Sequence, residues 1–257
     1  MIDAHSHLEN EAFDDDREEI IARMDADGLD AVVNVGSDIE TSRAVVNLAK
    51  KHDKLYAVVG VHPQDADGYS PEVREELIEL AKDEKVLAIG ECGLDYYYEN
   101  SPREVQREVF RAMCDLAAEV DLPLVIHSRD AAEETYDIVR EFLDAHPGHH
   151  VLIHCYSYSV EMMERFMALG CYLSLGGVTT FKNAKVPKRV AAAVPIDRLL
   201  LETDCPYMTP EPNRGKRNEP KFVADVAKNI AALRGMDVAE LVARTDENTK
   251  RFYQWKK

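Results

Sequence analysis

The sequence predicts an α/β chain folded as one (β/α)8 barrel, the TIM barrel. Three observations predict it. Short β-branched runs alternate with amphipathic stretches through most of the chain, these runs number eight, and the 257-residue length is close to the ~250 residues typical of such a barrel.

In chain order the strand-like runs are MIDAH (Met1–His5), AVVNV (Ala31–Val35), LYAVVGV (Leu55–Val61) and VLAIGE (Val86–Glu91), followed by PLVIH (Pro123–His127), HVLIH (His150–His154), YLSL (Tyr172–Leu175) and LLLE (Leu199–Glu202). The stretches between them, such as 102–120 and 131–145, have helical apolar spacing with charged residues on the opposite face. Several begin beside Ser-Pro or Asp, as helix starts do. No long Pro/Gly/Ser-rich linker, low-complexity tract or fixed repeat divides the chain, so one domain over residues 1–257 is expected.

Bulk composition narrows the function classes. No apolar run approaches the ~20 residues of a membrane span, and the N-terminus has no basic segment followed by an apolar signal core, so a cytoplasmic protein without membrane contact is expected. Five cysteines without a Cys-x-x-Cys spacing suit neither a disulfide framework nor a structural zinc cluster. The formal net charge of −17 argues against a long DNA-wrapping surface, which needs a basic patch. It leaves room for an enzyme that grips one or two phosphates locally, because bound cations reverse the field within a site.

The chemistry-bearing residues fall at one place. His5 and His7 end the first strand, Glu91 the fourth, His127 the fifth and His154 the sixth, while Asp204 follows the eighth. Residues i and i+2 of a strand share a face, so His5 and His7 can converge on one ion. All six lie at C-terminal strand ends, which form the active-site rim of this fold. A lone histidine in an apolar strand is ordinarily a satisfied core residue. Several histidines and two carboxylates at one rim would each need a separate buried partner. Cys92, Cys155 and Cys205 each follow one of these residues, and alternation turns them outward against the helices.

These residues sit in DAHSHL, GVHP, AIGECGLDYY, IHSRDA, IHCYS, GGVTTFKNAK, LLLETDCPYMTP and RGKRNEP. In that order and over essentially the whole chain, they resemble the TatD family of metal-dependent deoxyribonucleases, within the amidohydrolase-like metal hydrolases. One departure is Tyr156, Ser157 and Tyr158, where the family has aromatic-Ser-Gly. The resemblance implies two divalent ions, one held by His5, His7, Glu91 and Asp204, the other by Glu91, His127 and His154, with Glu91 bridging. It implies Mg2+ or Mn2+ as the working metal, whereas the imidazoles alone also suit Zn2+. Two such ions beside two carboxylates leave a positive centre that draws a phosphodiester, with Asp204 also orienting or deprotonating the attacking water.

Residues around that set carry further expectations. His62, ending the third strand, is expected to contact phosphate or donate a proton, with a structural histidine as the competing reading. Arg129, Arg214 and Arg217 are candidate phosphate contacts, each weighed against an ordinary surface ion pair. Asp95 and Asp130 are candidate acceptors orienting ligand imidazoles, and helix capping competes for Asp130. Tyr96, Tyr97 and Tyr98 are candidates for base stacking, with at least one packed in the core.

The leading reading is a divalent-metal-dependent phosphodiesterase acting on DNA ends as a 3′ to 5′ exonuclease, the direction implied by the resemblance. Hydrolysis of a carboxyl ester or amide, as by a deacylase of misacylated tRNA, is the rival enzyme. A non-catalytic metal-binding scaffold is the rival outside enzymes. Oligomeric state is not legible.

Overall fold

Eight parallel strands hydrogen-bond in sequence order in the computed structural model, which describes residues 1–98 and 100–255. Glu99, Lys256 and Lys257, inside the expected domain, lie outside the described residues. The strands are β1 (Ile2–Ser6), β2 (Ala31–Val35), β3 (Leu55–Val59), β4 (Val86–Asp95), β5 (Leu124–Arg129), β6 (Val151–Ile153), β7 (Tyr172–Leu175) and β8 (Leu199–Leu201). The helices among the described residues are α1 (Arg17–Ala22), α2 (Ile39–Lys51), α3 (Pro71–Leu80), α4 (Arg103–Val120), α5 (Ala132–Ala145), α6 (Val160–Ala168), α7 (Lys185–Ala193), α8 (Val223–Arg234) and α9 (Val238–Phe252). No described helix is long and apolar enough to cross a membrane.

Alternation builds two apolar layers. One inward side chain from each strand (Ala4, Val33, Val58, Ala88, Val125, Leu152, Tyr172 and Leu200) fills the lumen, with Phe252 and Tyr253 packed against them. Their neighbours, such as Val32, Val59, Ile89, Ile126, Ile153 and Leu201, belong to the outer core shared with Val45, Phe110, Val139, Phe166 and Ile230 of the helices. The Tyr253 hydroxyl donates to the Ala4 carbonyl at 2.9 Å, tying the end of the chain to the lumen.

Closure falls between β8 and β1. The Asp204 amide donates to the His5 carbonyl at 3.0 Å and the His7 amide to the Cys205 carbonyl at 2.8 Å. Below them the buried Asp3 carboxylate accepts the Thr203 amide (2.8 Å) and hydroxyl (2.5 Å). The bonds that close the barrel therefore lie beside three of the expected site residues.

Two strands differ from simple alternation. The β1–β2 register shifts between Asp3 and Ser6, and the β4–β5 register shifts between Ile89 and Cys92. An extra residue in a ladder resets which face the next side chain takes. Ala4 and His5 therefore both face the barrel interior, and Glu91 turns inward although Ala88 is also inward. β4 runs past the expected end at Glu91 because its pairing with β5 continues from Cys92 with Ile126 to Asp95 with Arg129. β6 ends before His154: the His154 amide still donates to the Ile126 carbonyl at 3.0 Å, and the next amide, of Cys155, turns to the Glu202 carboxylate.

Candidate metal centre

The C-terminal strand ends open into a cavity of about 810 Å³ lined by His7, His62, Glu91, Asp95, His127, Arg129, His154 and Asp204 among others. His5 lies beneath it, fully buried, its ring stacked on His154 with centroids 3.9 Å apart. All six rim residues converge. Glu91 stands between two groups: its Oε1 is 2.6 Å from His154 Nε2 and 2.9 Å from His127 Nδ1, and its Oε2 is 3.3 Å from His5 Nε2 and 3.8 Å from His7 Nε2. Asp204 Oδ1 faces the second group, 3.5 Å from His7 Nε2 and 4.0 Å from His5 Nε2. Asp204 is held there in a left-handed backbone conformation (φ 56°) that costs energy for a non-glycine residue.

Hydrogen bonds around the rings fix which nitrogen faces inward. The His7 Nδ1 donates to the Val35 carbonyl at 2.8 Å, leaving Nε2 to face His5 and Asp204. His127 Nε2 donates to Asp95 Oδ2 at 3.0 Å, leaving Nδ1 to face Glu91 and His154. Asp95 is itself held by the amides of Tyr97 and Tyr98 (2.9 and 3.0 Å) and by Gln64. This is the outer support expected of ligating imidazoles. Burial raises the Asp95 carboxyl, but hydrogen bonds led by His127 outweigh it, and the group sits below the ordinary range.

The donor set fits divalent cations. His5 Nε2 and His7 Nε2 lie 3.3 Å apart, and His154 Nε2 and His127 Nδ1 3.4 Å, with carboxylate oxygens beside each pair. Two imidazole nitrogens at that distance need a cation or a shared proton between them. Donors about 2.1 Å from one metal are separated by roughly 3.0–3.5 Å, close to these spacings. Buried carboxylates draw protons in a cation's place: burial lowers His7 and His154, but Asp204 and Glu9 hold His7, and Glu91 and Glu202 hold His154, well above the ordinary histidine range. Burial likewise opposes ionisation of Glu91, yet His154, His127 and His5 hold it well below the carboxylate range. His5, buried and beside His154, is lowered.

His62 lines the cavity in a different role. Its Nδ1 accepts the Gln64 amide at 3.1 Å, which leaves the hydrogen on Nε2, 3.7 Å from Glu91 Oε1. Burial, reinforced by the charge of His127, lowers its pKa to about 3, so it is a neutral N–H donor. His62 lies beside the hydrogen-bonded Asp95–His127 pair, and with its hydrogen on Nε2 the nitrogen near Glu91 has no lone pair to offer.

The remaining expectations divide. Arg129 lines the cavity, stacked 3.8 Å over the Tyr97 ring and 5.0 Å over Tyr98; these two tyrosines are exposed, and Tyr96 packs on the outer core. Arg214 is not a cavity-lining residue, and its guanidinium lies 4.2 Å over the Phe181 ring. Arg217 is taken out of the site altogether: it binds Asp16 through both terminal nitrogens and donates to the Ala12 carbonyl. A carboxylate within bidentate reach won over any contact to the cavity. Asp130 is exposed in a left-handed conformation (φ 54°), and α5 begins at an Ala131 N-cap with no side-chain cap bond, so it takes neither expected role. Cys92 and Cys205 are fully buried in the outer core as expected, but Cys155 lines the cavity because its backbone turns left-handed (φ 43°) just past β6.

Glu202 was not singled out by the sequence. It is fully buried, accepts the Cys155 amide at 2.8 Å and the Ser174 hydroxyl at 2.5 Å, and lies 3.8 Å from His154 Nδ1. The signal was present: Glu202 and Asp204 are spaced i, i+2 like His5 and His7.

Comparison with known proteins gives the family. The family described as TatD related DNase matches residues 2–254. The chain is 45% identical over 255 residues to the metal-dependent hydrolase YabD of Bacillus subtilis, covering 99% of both chains. It is 32% identical over 260 residues to the 3′-5′ ssDNA/RNA exonuclease TatD of Salmonella typhimurium, again covering 99% of both. The solved structure of YjjV, a TatD homolog from Escherichia coli K12, matches with a TM-score of 0.93 at 29% identity, covering 100% of this chain and 98% of that one.

Proposed function

The chain belongs to the TatD related DNase family of metal-dependent hydrolases, and from that premise we propose that it is a phosphodiesterase that removes nucleotides from DNA ends in the 3′ to 5′ direction, using two divalent ions. The observation that carries this reading is the placement of Glu91, with one oxygen turned to His127 and His154 and the other to His5 and His7. His5, His7, Glu91 and Asp204 would hold one ion, and Glu91, His127 and His154 the second. Mg2+ or Mn2+ fits the carboxylates and Zn2+ the imidazoles.

The ions would supply Lewis acidity toward a phosphoryl oxygen and a lowered pKa for water. The chain's own residues do the rest. Asp204, held in the cavity wall by the Asp204 amide bond to β1, orients the attacking water and accepts its proton at a carboxylate oxygen. His62, neutral and with its hydrogen on Nε2, donates to a phosphate oxygen beside Glu91. Arg129, fixed against Tyr97 and Tyr98, offers a cation to the next phosphate, and the exposed tyrosine faces stack terminal bases. The five free cysteines, none in a disulfide, agree with a cytoplasmic setting.

The test is hydrolysis of single strands labelled at either end, covalently closed circles and an aminoacyl ester by the metal-loaded enzyme. Stepwise loss from the 3′ end with circles spared is expected. Equal cleavage of circles, or turnover of the aminoacyl ester alone, overturns the reading.

A further inference from the structure

From Glu164 to Asp197 the sequence carries no carboxylate between those two residues, although the chain as a whole has a net charge of −17. The same stretch holds Lys182, Lys185, Lys188 and Arg189 around the start of α7. The fold brings it to the cavity: Val178, Phe181 and Pro187 line the wall on the β7 side. Lys182 and Lys185 are exposed beside them, the Lys188 ammonium lies 3.4 Å from the Lys182 carbonyl, and the Arg214 guanidinium covers Phe181. Among the described residues, Lys182, Lys185, Lys188 and Arg214 have no carboxylate within 4.0 Å, whereas Arg17, Arg43 and Arg217 are all paired. Unneutralised like charges crowded on one lip destabilise the free protein, a cost that an anionic ligand reverses.

The lip across the barrel has the opposite sign. Asp38, Glu40, Asp65 and Asp67 surround a second recess of about 370 Å³ that shares Gln64 and Asp65 with the main cavity. In an eight-stranded barrel the β3 and β7 ends face each other. A polyanion entering the cavity therefore meets repulsion on the β3 side and unpaired cations on the β7 side.

We propose that a single-stranded nucleic acid with its end at the metal centre leaves the cavity over the β7–β8 lip, its phosphates lying on Lys182, Lys185, Lys188 and Arg214. This path rests on the phosphodiesterase reading above and specifies where the uncut strand lies. It also explains how so acidic a chain handles a polyanion: the favourable surface is one lip, and the acidic lip excludes the alternative route.

The test compares K182E/K185E with K51E/K250E, a pair of exposed lysines outside the cavity that changes net charge equally. Binding of a fluorescent oligothymidylate with hydrolysis-resistant phosphorothioate linkages is followed over a salt series by the metal-loaded protein, with melting and metal content checked for each variant. K182E/K185E should bind at least ~10-fold more weakly, with the log–log salt slope flattened by about 1.4, since each single-strand phosphate contact contributes about 0.7. K51E/K250E should match wild type. Equal weakening by both pairs, or wild-type affinity and slope in K182E/K185E, overturns the path. Patch-dependent binding in an enzyme that hydrolyses no phosphodiester supports the path and removes the function proposed above; 3′-end hydrolysis with patch-independent binding does the reverse.

Discussion

Glu91 is the residue on which the site turns. On the two-ion reading proposed above, a carboxylate with one oxygen on each side of two imidazole pairs would contribute to both ion positions, whereas His154 would contribute to one. Glu91→Ala should therefore lose both ions on dialysis, and His154→Ala should retain the one beside His5 and His7; metal-to-protein ratios distinguish these outcomes, and full occupancy in Glu91→Ala removes the bridge. Protons compete for the same place. Because carboxylates hold His7 and His154 protonated well above the ordinary histidine range, an arriving ion must displace those protons. Apparent metal affinity should rise as pH rises through and above the imidazole range and fall as pH drops, with proton release visible by calorimetry in buffers of different ionisation enthalpy. Affinity independent of pH would contradict it. Asp95→Asn, which loosens the tautomer of His127, should weaken metal binding by about 10–100-fold.

At the scale of elements, β5 and β6 were legible because unbroken alternation carries Val125 to His127 and Leu152 to His154 on the inner face, and the same alternation carries Leu200 to Glu202, which the sequence reading passed over. β1 and β4 reach the site only through register shifts, which depend on pairing with a neighbour and leave no period in the sequence. His5 and Glu91 were found there because they are chemically conspicuous. Cys155 was misplaced for a related reason, since a left-handed residue past a strand end breaks the alternation used to orient it. Arg217 was misplaced because its partner Asp16 is remote in sequence. β4 tolerates its shift by carrying glycine where it presses on β5: a Cβ at Gly93 (φ 135°) would lie 2.0 Å from the His127 carbonyl oxygen. Gly93→Ala should destabilise by about 2 kcal/mol or more, as overpacking and backbone strain add, and should weaken metal binding through His127. Equilibrium unfolding with metal titration checks both, and a wild-type midpoint would contradict the close approach.

The whole molecule owes its stability to packing that does not include the metal centre. The lumen layer, the Tyr253 tie to Ala4 and the outer core lie below or around the rim. Chelation should therefore leave a cooperatively folding chain with a lower melting temperature, unlike a small zinc domain that unfolds without its ion. Loss of the cooperative transition in chelator would contradict this. The barrel was legible from eight strand-like runs, and the six converging rim residues from the His, Glu or Asp at or just past the ends of five of them. The sorting of charge between the two lips was not, because it depends on which loops face each other across the closed sheet. On the proposed reading these strand ends form one two-ion site divided by Glu91. Anomalous diffraction from manganese-loaded crystals tests it most directly: two peaks are predicted, one among His5, His7, Glu91 and Asp204 and one among Glu91, His127 and His154. A single peak, or peaks that Glu91 does not touch through both oxygens, would contradict it.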